Sequence, residues 1–216
     1  MDFAFIPRLV PLLLEGLRLT VILTMVALAG AAIGGLVVVA GRRSRSRPVR
    51  GVTAAFIDVM RNTLIMVPIF ILYFGLPSLG LYPDAFSCAV LALVLQNSAY
   101  AGETYRAGIE SVHRTQTEAA LSLGMLPRMA LVEIVLPQAL RRVLPALGNQ
   151  AVVILKDTSI ASTISLAELT HSGKLLLDRS AAPYETFFVV ALLYLALTAL
   201  LLGAMKLVAL RFPVRT

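Results

Sequence analysis

The sequence is poor in the groups that most protein chemistry uses. It has one cysteine, Cys88, in 216 residues, so no disulfide can close within the chain, and its apolar neighbours make it a small buried side chain. The two histidines, His113 and His171, fit no metal-ligand spacing, which leaves neither a metal site nor a catalytic role for them. No G-x-x-x-x-G-K-[ST] segment occurs: Ser172 to Leu176 has the Gly-Lys pair but lacks the upstream glycine and the following hydroxyl. ATP hydrolysis by that route is excluded. No serine-histidine or paired-aspartate arrangement recurs on facing apolar segments, which sets aside an intramembrane enzyme. Internal repeats and low-complexity stretches are lacking as well. Charge is scarce: 14% of residues are charged against 58% hydrophobic. The mean hydropathy of +0.86 is too high for a soluble domain.

What is present is membrane-grade sequence. Leu19 to Ala40 holds no charged residue and matches the roughly 20 residues a helix needs to cross the hydrocarbon. It is too long for the apolar core of a cleaved signal peptide, and Met1 to Arg8 lacks a clustered positive start, so this span is expected to be retained. Further apolar segments at about 52–74, 85–105, 138–156 and 184–210 bring the expected count to five. The fold class is therefore all-α and polytopic, one transmembrane domain over residues 1–216. The formal charge of +7 suggests nucleic acid only until the arginines are placed. Arg42, Arg43, Arg45, Arg47 and Arg50 follow the first span, the pattern of a cytoplasmic loop. The amino terminus is then outside, 75–84 outside, 106–137 inside, 157–183 outside and the carboxyl end inside. Arg106, Arg114, Arg128, Arg141, Arg142 and the late Lys206, Arg211 and Arg215 agree, while 75–84 carries only Asp84.

The fourth span is the exception. Only thirteen uncharged residues separate Arg142 from Lys156, fewer than a straight crossing requires. It must begin among the arginines or break before the far surface. Pro137 and Pro145 favour bending, and backbone freed at membrane depth is tolerated only where protein or a water-filled cavity covers it.

The inner segment carries the most structured motif. Thr115-Gln116-Thr117-Glu118 fits a capping box with Thr115 as the N-cap, Ala119 and Ala120 continue a short helix, Gly124 ends it and Pro127 starts another. Local physics alone makes this a cytoplasmic helix-turn-helix. The spacing of Glu118-Ala119-Ala120, Gly124, Ile134, Leu136 and Pro137, within about 113–137, resembles the EAA loop of the permease subunits of ATP-binding-cassette importers. That resemblance implies a coupling helix inserted into a groove on a separate ATPase subunit.

Most of the remaining chain narrows the resemblance to the polar amino acid permeases, the histidine/glutamine/glutamate/arginine group. "ILYFGLPSLG" from Ile71, "QNSAYAGETYRAGIESV" from Gln96, "LPALGNQ" from Leu144, "LKDTSIAS" from Leu155 and "AELT" from Ala167 all resemble its segments. Departures occur at Leu64 and Pro68, where a proline and a glutamine are expected, and at His113-Arg114-Thr115; the first two leave the packing of the second span open. The resemblance implies a type I importer (MetI-like) transmembrane domain in the bacterial inner membrane, importing polar or charged L-amino acids. The implied partners are a second permease subunit, identical or paralogous, a pair of ATPase subunits that hold ATP and Mg, and a periplasmic or lipid-anchored amino acid-binding protein, all within membrane lipid. No cofactor is expected on this chain. The alternative is an ATP-independent secondary carrier or channel for small polar solutes, which would have no use for the EAA loop.

Polar residues in the spans supply the expected substrate path. Gln96, Tyr100 and Glu103 share one helix face, although Glu103 also stands where it can pair with Arg106. The resemblance adds Asn97 and Ser98 as path-lining groups. Asp157, with Thr158 and Ser159, closes the fourth span; it either caps the next short helix or helps to define a cavity for a zwitterionic or cationic amino acid. Asp58 with Arg61 and Asn62, and Glu15 with Arg18, are expected as interfacial pairs.

Overall fold

The computed structural model describes residues 6–180 and 182–210, and every regular element among them is helical. Met1 to Phe5, Arg211 and Arg215, used above for topology, lie outside the described residues. The first helix, α1 (Ile6–Arg42), starts well before the apolar run at Leu19. Two hydroxyls are buried in it. Thr20 and Thr24 donate to the carbonyls of Gly16 and Thr20 at 2.9 and 2.7 Å, so neither is left unpaired in an apolar setting.

Helix α1 lies along α4 (Ala85–Ser111), and small residues set their separation. Gly30 and Gly34 form a G-x-x-x-G step. A Cβ at Gly34 would come within 2.0 Å of Ser98 Oγ, so only glycine admits this approach. Asp84 caps α4: its carboxylate accepts from the Ser87 amide at 3.2 Å and the Ser87 hydroxyl at 2.6 Å, and those bonds hold it below the usual carboxylate range.

The second span is not one helix. Helix α2 (Arg47–Asn62) stops at an extended Thr63, and α3 (Met66–Phe70) leads into a π turn (Ile71–Gly75) and a 3-10 turn (Leu76–Leu79). The two halves are bent by 101°. The continuous crossing expected over 52–74 is thereby corrected, and Pro68 supplies a physical reason. In an unbroken helix it would lack the N–H to pair with Leu64 and its ring would strike that carbonyl. As the third residue of a new helix its missing N–H costs nothing, because first-turn donors have no intrahelical partner anyway.

After α4 follow α5 (Arg114–Ser122), α6 (Pro127–Met129) and a π-helical stretch, Ala130–Val135, that runs into α7 (Leu136–Asp157). Helix α7 does begin among the arginines, with Arg141 and Arg142 inside it. A 3-10 segment (Thr158–Ile164), α8 (Leu169–Ser180) and α9 (Pro183–Leu210) complete the described chain. Three described helices, Pro11–Arg42 of α1, α4 and Pro183–Val208 of α9, are long and apolar enough to cross a membrane, and the bent pair makes a fourth.

A buried carboxylate ties α8 to α9. Glu168 is fully buried and accepts from the amides of Thr170 (2.9 Å) and His171 (2.8 Å) at the start of α8 and from the Tyr194 hydroxyl of α9 (2.7 Å). Burial pushes its carboxyl up, while those donors pull it down. Thr20 of α1 accepts from the Leu169 amide beside it at 3.0 Å.

Candidate functional site

The break in the second span opens onto a cavity of about 560 Å³. Its walls are the break itself (Arg61 to Ile65), Gln96, Asn97 and Tyr100 from α4, and Gln150, Val153 and Asp157 from α7. Irregular backbone thus borders the cavity, as the physics of unpaired carbonyls in lipid requires. Gln96 donates to the carbonyls of Met60 and Thr63, and Tyr100 donates to that of Arg61. Gln150 donates to the Asn97 side-chain oxygen, while Asn97 donates to Leu93 O at 2.8 Å, so α4 and α7 are joined across the cavity.

Of the expected path residues, Asn97, Tyr100 and Asp157 reach this cavity. Glu103 borders a smaller neighbouring cavity of about 300 Å³, together with Arg61, Tyr100 and Arg106. There it is paired: Arg106 binds Glu103 at 2.7 Å and Glu110 at 2.6 Å. Ser98, Thr158 and Ser159 do not line the larger cavity. Ser98 faces Gly34 of α1 and donates to Val94 O at 2.6 Å. Thr158 is buried and donates to Leu155 O, and Ser159 donates to Lys156 O. All three hydroxyls turn back onto their own helix, which a spacing argument does not reveal. Asp157 caps nothing through its side chain; it has helical dihedrals and the chain runs straight on into the 3-10 segment.

Arg61, Asn62 and Gln150, polar residues that line the cavity, were not expected there. Arg61 was assigned an interfacial pair with Asp58, yet no ion pair joins them among the described residues, and its guanidinium lies 5.3 Å over the Tyr100 ring. Nor is Glu15 ion-paired with Arg18 among the described residues. Gln150 ended the "LPALGNQ" segment without a role, and its one sequence signal was an amide inside an apolar helix.

The segment from His113 to Pro137 is built from short-range rules. His113, not Thr115, is the N-cap: its ring accepts from the Thr115 amide at 3.4 Å and contacts the Thr115 hydroxyl at 2.8 Å. The helix thus starts earlier, Glu118 falls past its first turn, and the capping box does not form. The exit follows the expectation. Gly124 takes φ +82°, its amide bonds Leu121 O at 2.9 Å, and the Met125 amide bonds Ala120 O at 3.1 Å, a complete Schellman turn. Pro127 then opens α6. Glu118 and Ala119 are exposed whereas Ala120 is buried, so the motif shows two faces. Leu123 and Leu126 are 85% and 66% exposed, an apolar edge at the tip of the turn.

Ile134, Leu136 and Pro137 belong to the π-helical joint and the start of α7. Pro137 has no N–H for Glu133, four residues back, and its ring crowds that carbonyl. The backbone widens, and the Leu136 amide reaches Leu131 O five residues back. Helix α7 therefore leaves the π-helical joint at Leu136 and ends at Asp157, which lines the cavity.

A family model described as "Binding-protein-dependent transport system inner membrane component" matches residues 30–213. The chain is 35% identical to the "Probable glutamine ABC transporter permease protein GlnM" of Bacillus subtilis (strain 168), over 86% of each chain. It is 35% identical to the "Glutamine transport system permease protein GlnP" of Escherichia coli (strain K12), over 93% of this chain and 92% of that one. A solved amino acid ABC transporter with histidines superposes with a TM-score of 0.93 at 34% identity, covering 98% of this chain and 99% of that one. The MetNI methionine ABC transporter in an inward-facing conformation superposes at 0.79 with 15% identity, over 99% of this chain and 100% of that one, a likeness of fold alone.

Proposed function

Because the chain belongs to the family of binding-protein-dependent transport system inner membrane components, we propose that it forms the translocation path for polar or charged L-amino acids in an ATP-driven importer. It is a transport subunit rather than an ATPase. The relatives named for glutamine and the solved transporter with histidines support that substrate class. The observation that carries the mechanism is α7: one helix of 22 residues runs from the cytoplasmic element to the cavity. At 1.5 Å per residue it covers about 33 Å, the depth of the hydrocarbon.

In this reading the domain comprises residues 1–216, with five spans and the amino terminus outside, α7 serving as the fourth span inside a bundle. Glu118, Ala119 and the apolar edge at Leu123 dock on a separate ATPase that holds ATP and Mg. Ala120 and Gly124 shape the docking helix, and Ile134, Leu136 and Pro137 pass its motion into α7. A second permease subunit completes the path, and a periplasmic or lipid-anchored receptor delivers substrate from outside. In the cavity Asp157 offers a carboxylate to an ammonium group and Arg61 a guanidinium to a carboxylate, which suits a zwitterion.

Purification in mild detergent from the native membrane tests the coupling. A P-loop ATPase is expected at stoichiometric yield with the wild type and is expected to be lost with the Glu118→Ala, Gly124→Asp double variant. A wild-type protein that came through alone and still transported would overturn the reading in favour of an ATP-independent carrier.

A further inference from the structure

The carbonyls exposed at the end of α2 are held by another helix. Gln96 Nε2 donates to Met60 O at 3.1 Å and to Thr63 O at 2.6 Å, and one turn along α4 the Tyr100 hydroxyl donates to Arg61 O at 3.0 Å. Gln96 lines the cavity but is only 7% exposed, and its amide nitrogen is engaged by the carbonyls of the chain break. Carbonyls at the C-terminal end of a half-helix carry partial negative charge, and in ion-coupled transporters such groups coordinate a cation. Here a side-chain amide and a hydroxyl stand in that place. The break is thus fixed by neutral donors built into the chain and needs no ion to satisfy it.

We propose that Gln96, assisted by Tyr100, is a positioning residue that fixes the broken second span as one wall of the cavity, so that it governs passage of every substrate together instead of choosing among them. The inference rests on the cavity being the substrate path. Without the amide, Met60 and Thr63 lose their partner beside a wet space, water takes its place, and the wall loosens where it borders Asp157 and Gln150 across the cavity.

The test uses the complete importer in nanodiscs, with Gln96→Leu, Gln96→Glu and Tyr100→Phe. Two quantities are read: hydrogen exchange over residues 58–70, and ATP-driven uptake of glutamine, histidine and arginine with the receptor saturated. For Gln96→Leu, exchange at the break should accelerate roughly tenfold or more, peptides of α9 should be unchanged, and uptake of the three amino acids should fall by a common factor. Gln96→Glu keeps the shape but removes the paired donor when ionised, and should act in the same direction; Tyr100→Phe should show a smaller effect at the same peptides. Unchanged exchange overturns the proposal. So does uptake that falls for one amino acid and holds for the others, since Gln96 would then be a substrate contact. If Gln96→Leu fails to assemble, Tyr100→Phe retains the ring and decides by the same readings. If the wild type carries none of the three amino acids, the transport reading fails while the exchange result still decides the role of Gln96.

Discussion

The first and second spans solve the same problem in opposite ways. Helix α1 runs without interruption from Ile6 to Arg42, and its buried Thr20 and Thr24 donate within the helix itself. The second span is broken after Asn62, and its free carbonyls are satisfied by α4. Where hydrogen bonds close locally, a helix can serve as fixed scaffold. Where they are borrowed from a neighbour, its position depends on that neighbour, and it is this span that borders the cavity. The unbroken helix closes on its own hydrogen bonds, and the interrupted one leans on α4 and borders the cavity.

The comparison can be broken most severely on the scaffold side. Gly34→Leu drives a side chain into Ser98 and is expected to cost more than about 3 kcal/mol, the upper range for overpacking. Thermal unfolding and the yield of monodisperse protein in detergent would show it. On the cavity side the separation should reverse. Asp157→Asn is expected to lower ATP-driven uptake at least about tenfold, one lost charge-assisted contact, while the melting temperature stays within a few degrees; equal loss of stability would erase the distinction. Gly124→Ala, at a φ of +82° with open space around it, should cost about 1 kcal/mol of local strain. Its readout is weaker ATPase co-purification with the membrane part intact. The smallest effect is expected from Thr24→Val, which removes a bond within α1 and leaves the shape: about 0.5–1 kcal/mol, and no change in uptake.

The same contrast explains what could be read from the sequence. Leu19 to Ala40, the segment at 85–105 and the last helix were legible because hydropathy reports burial in lipid directly. The short apolar run at 138–156 was legible as an anomaly, and α7 takes it up from Leu136 with Arg141 and Arg142 inside the helix. The break at Thr63 was not read, although Leu64 and Pro68 stood out as departures; a proline four residues after Leu64 was the signal. Gly124 and Pro127 were legible because backbone constraints are local, whereas Thr115 lost the N-cap to His113, a less usual acceptor two residues earlier. Of the residues expected on the substrate path, Asn97, Tyr100 and Asp157 line the cavity. Ser98, Thr158 and Ser159 do not, because a hydroxyl can bond the carbonyl three or four residues back and vanish from any lining. Glu168 stayed hidden within "AELT", since its side-chain partner Tyr194 is distant in sequence and meets it only in the folded bundle.

The π-helical joint at Ala130–Val135 has a consequence for how such a chain can change length. A π turn is an α turn with one residue added, and the helix beyond it keeps its phase. Loss of one residue from this stretch, together with replacement of Pro137 by a residue that carries an N–H, would let it close as an ordinary α turn, with Gln150 and Asp157 still facing the cavity. Loss of one residue inside α7 would instead turn everything beyond it by about 100°, swinging the cavity residues away from α4. The joint is therefore the place where the chain between α6 and α7 can lose a residue over evolution without re-aiming Gln150 and Asp157.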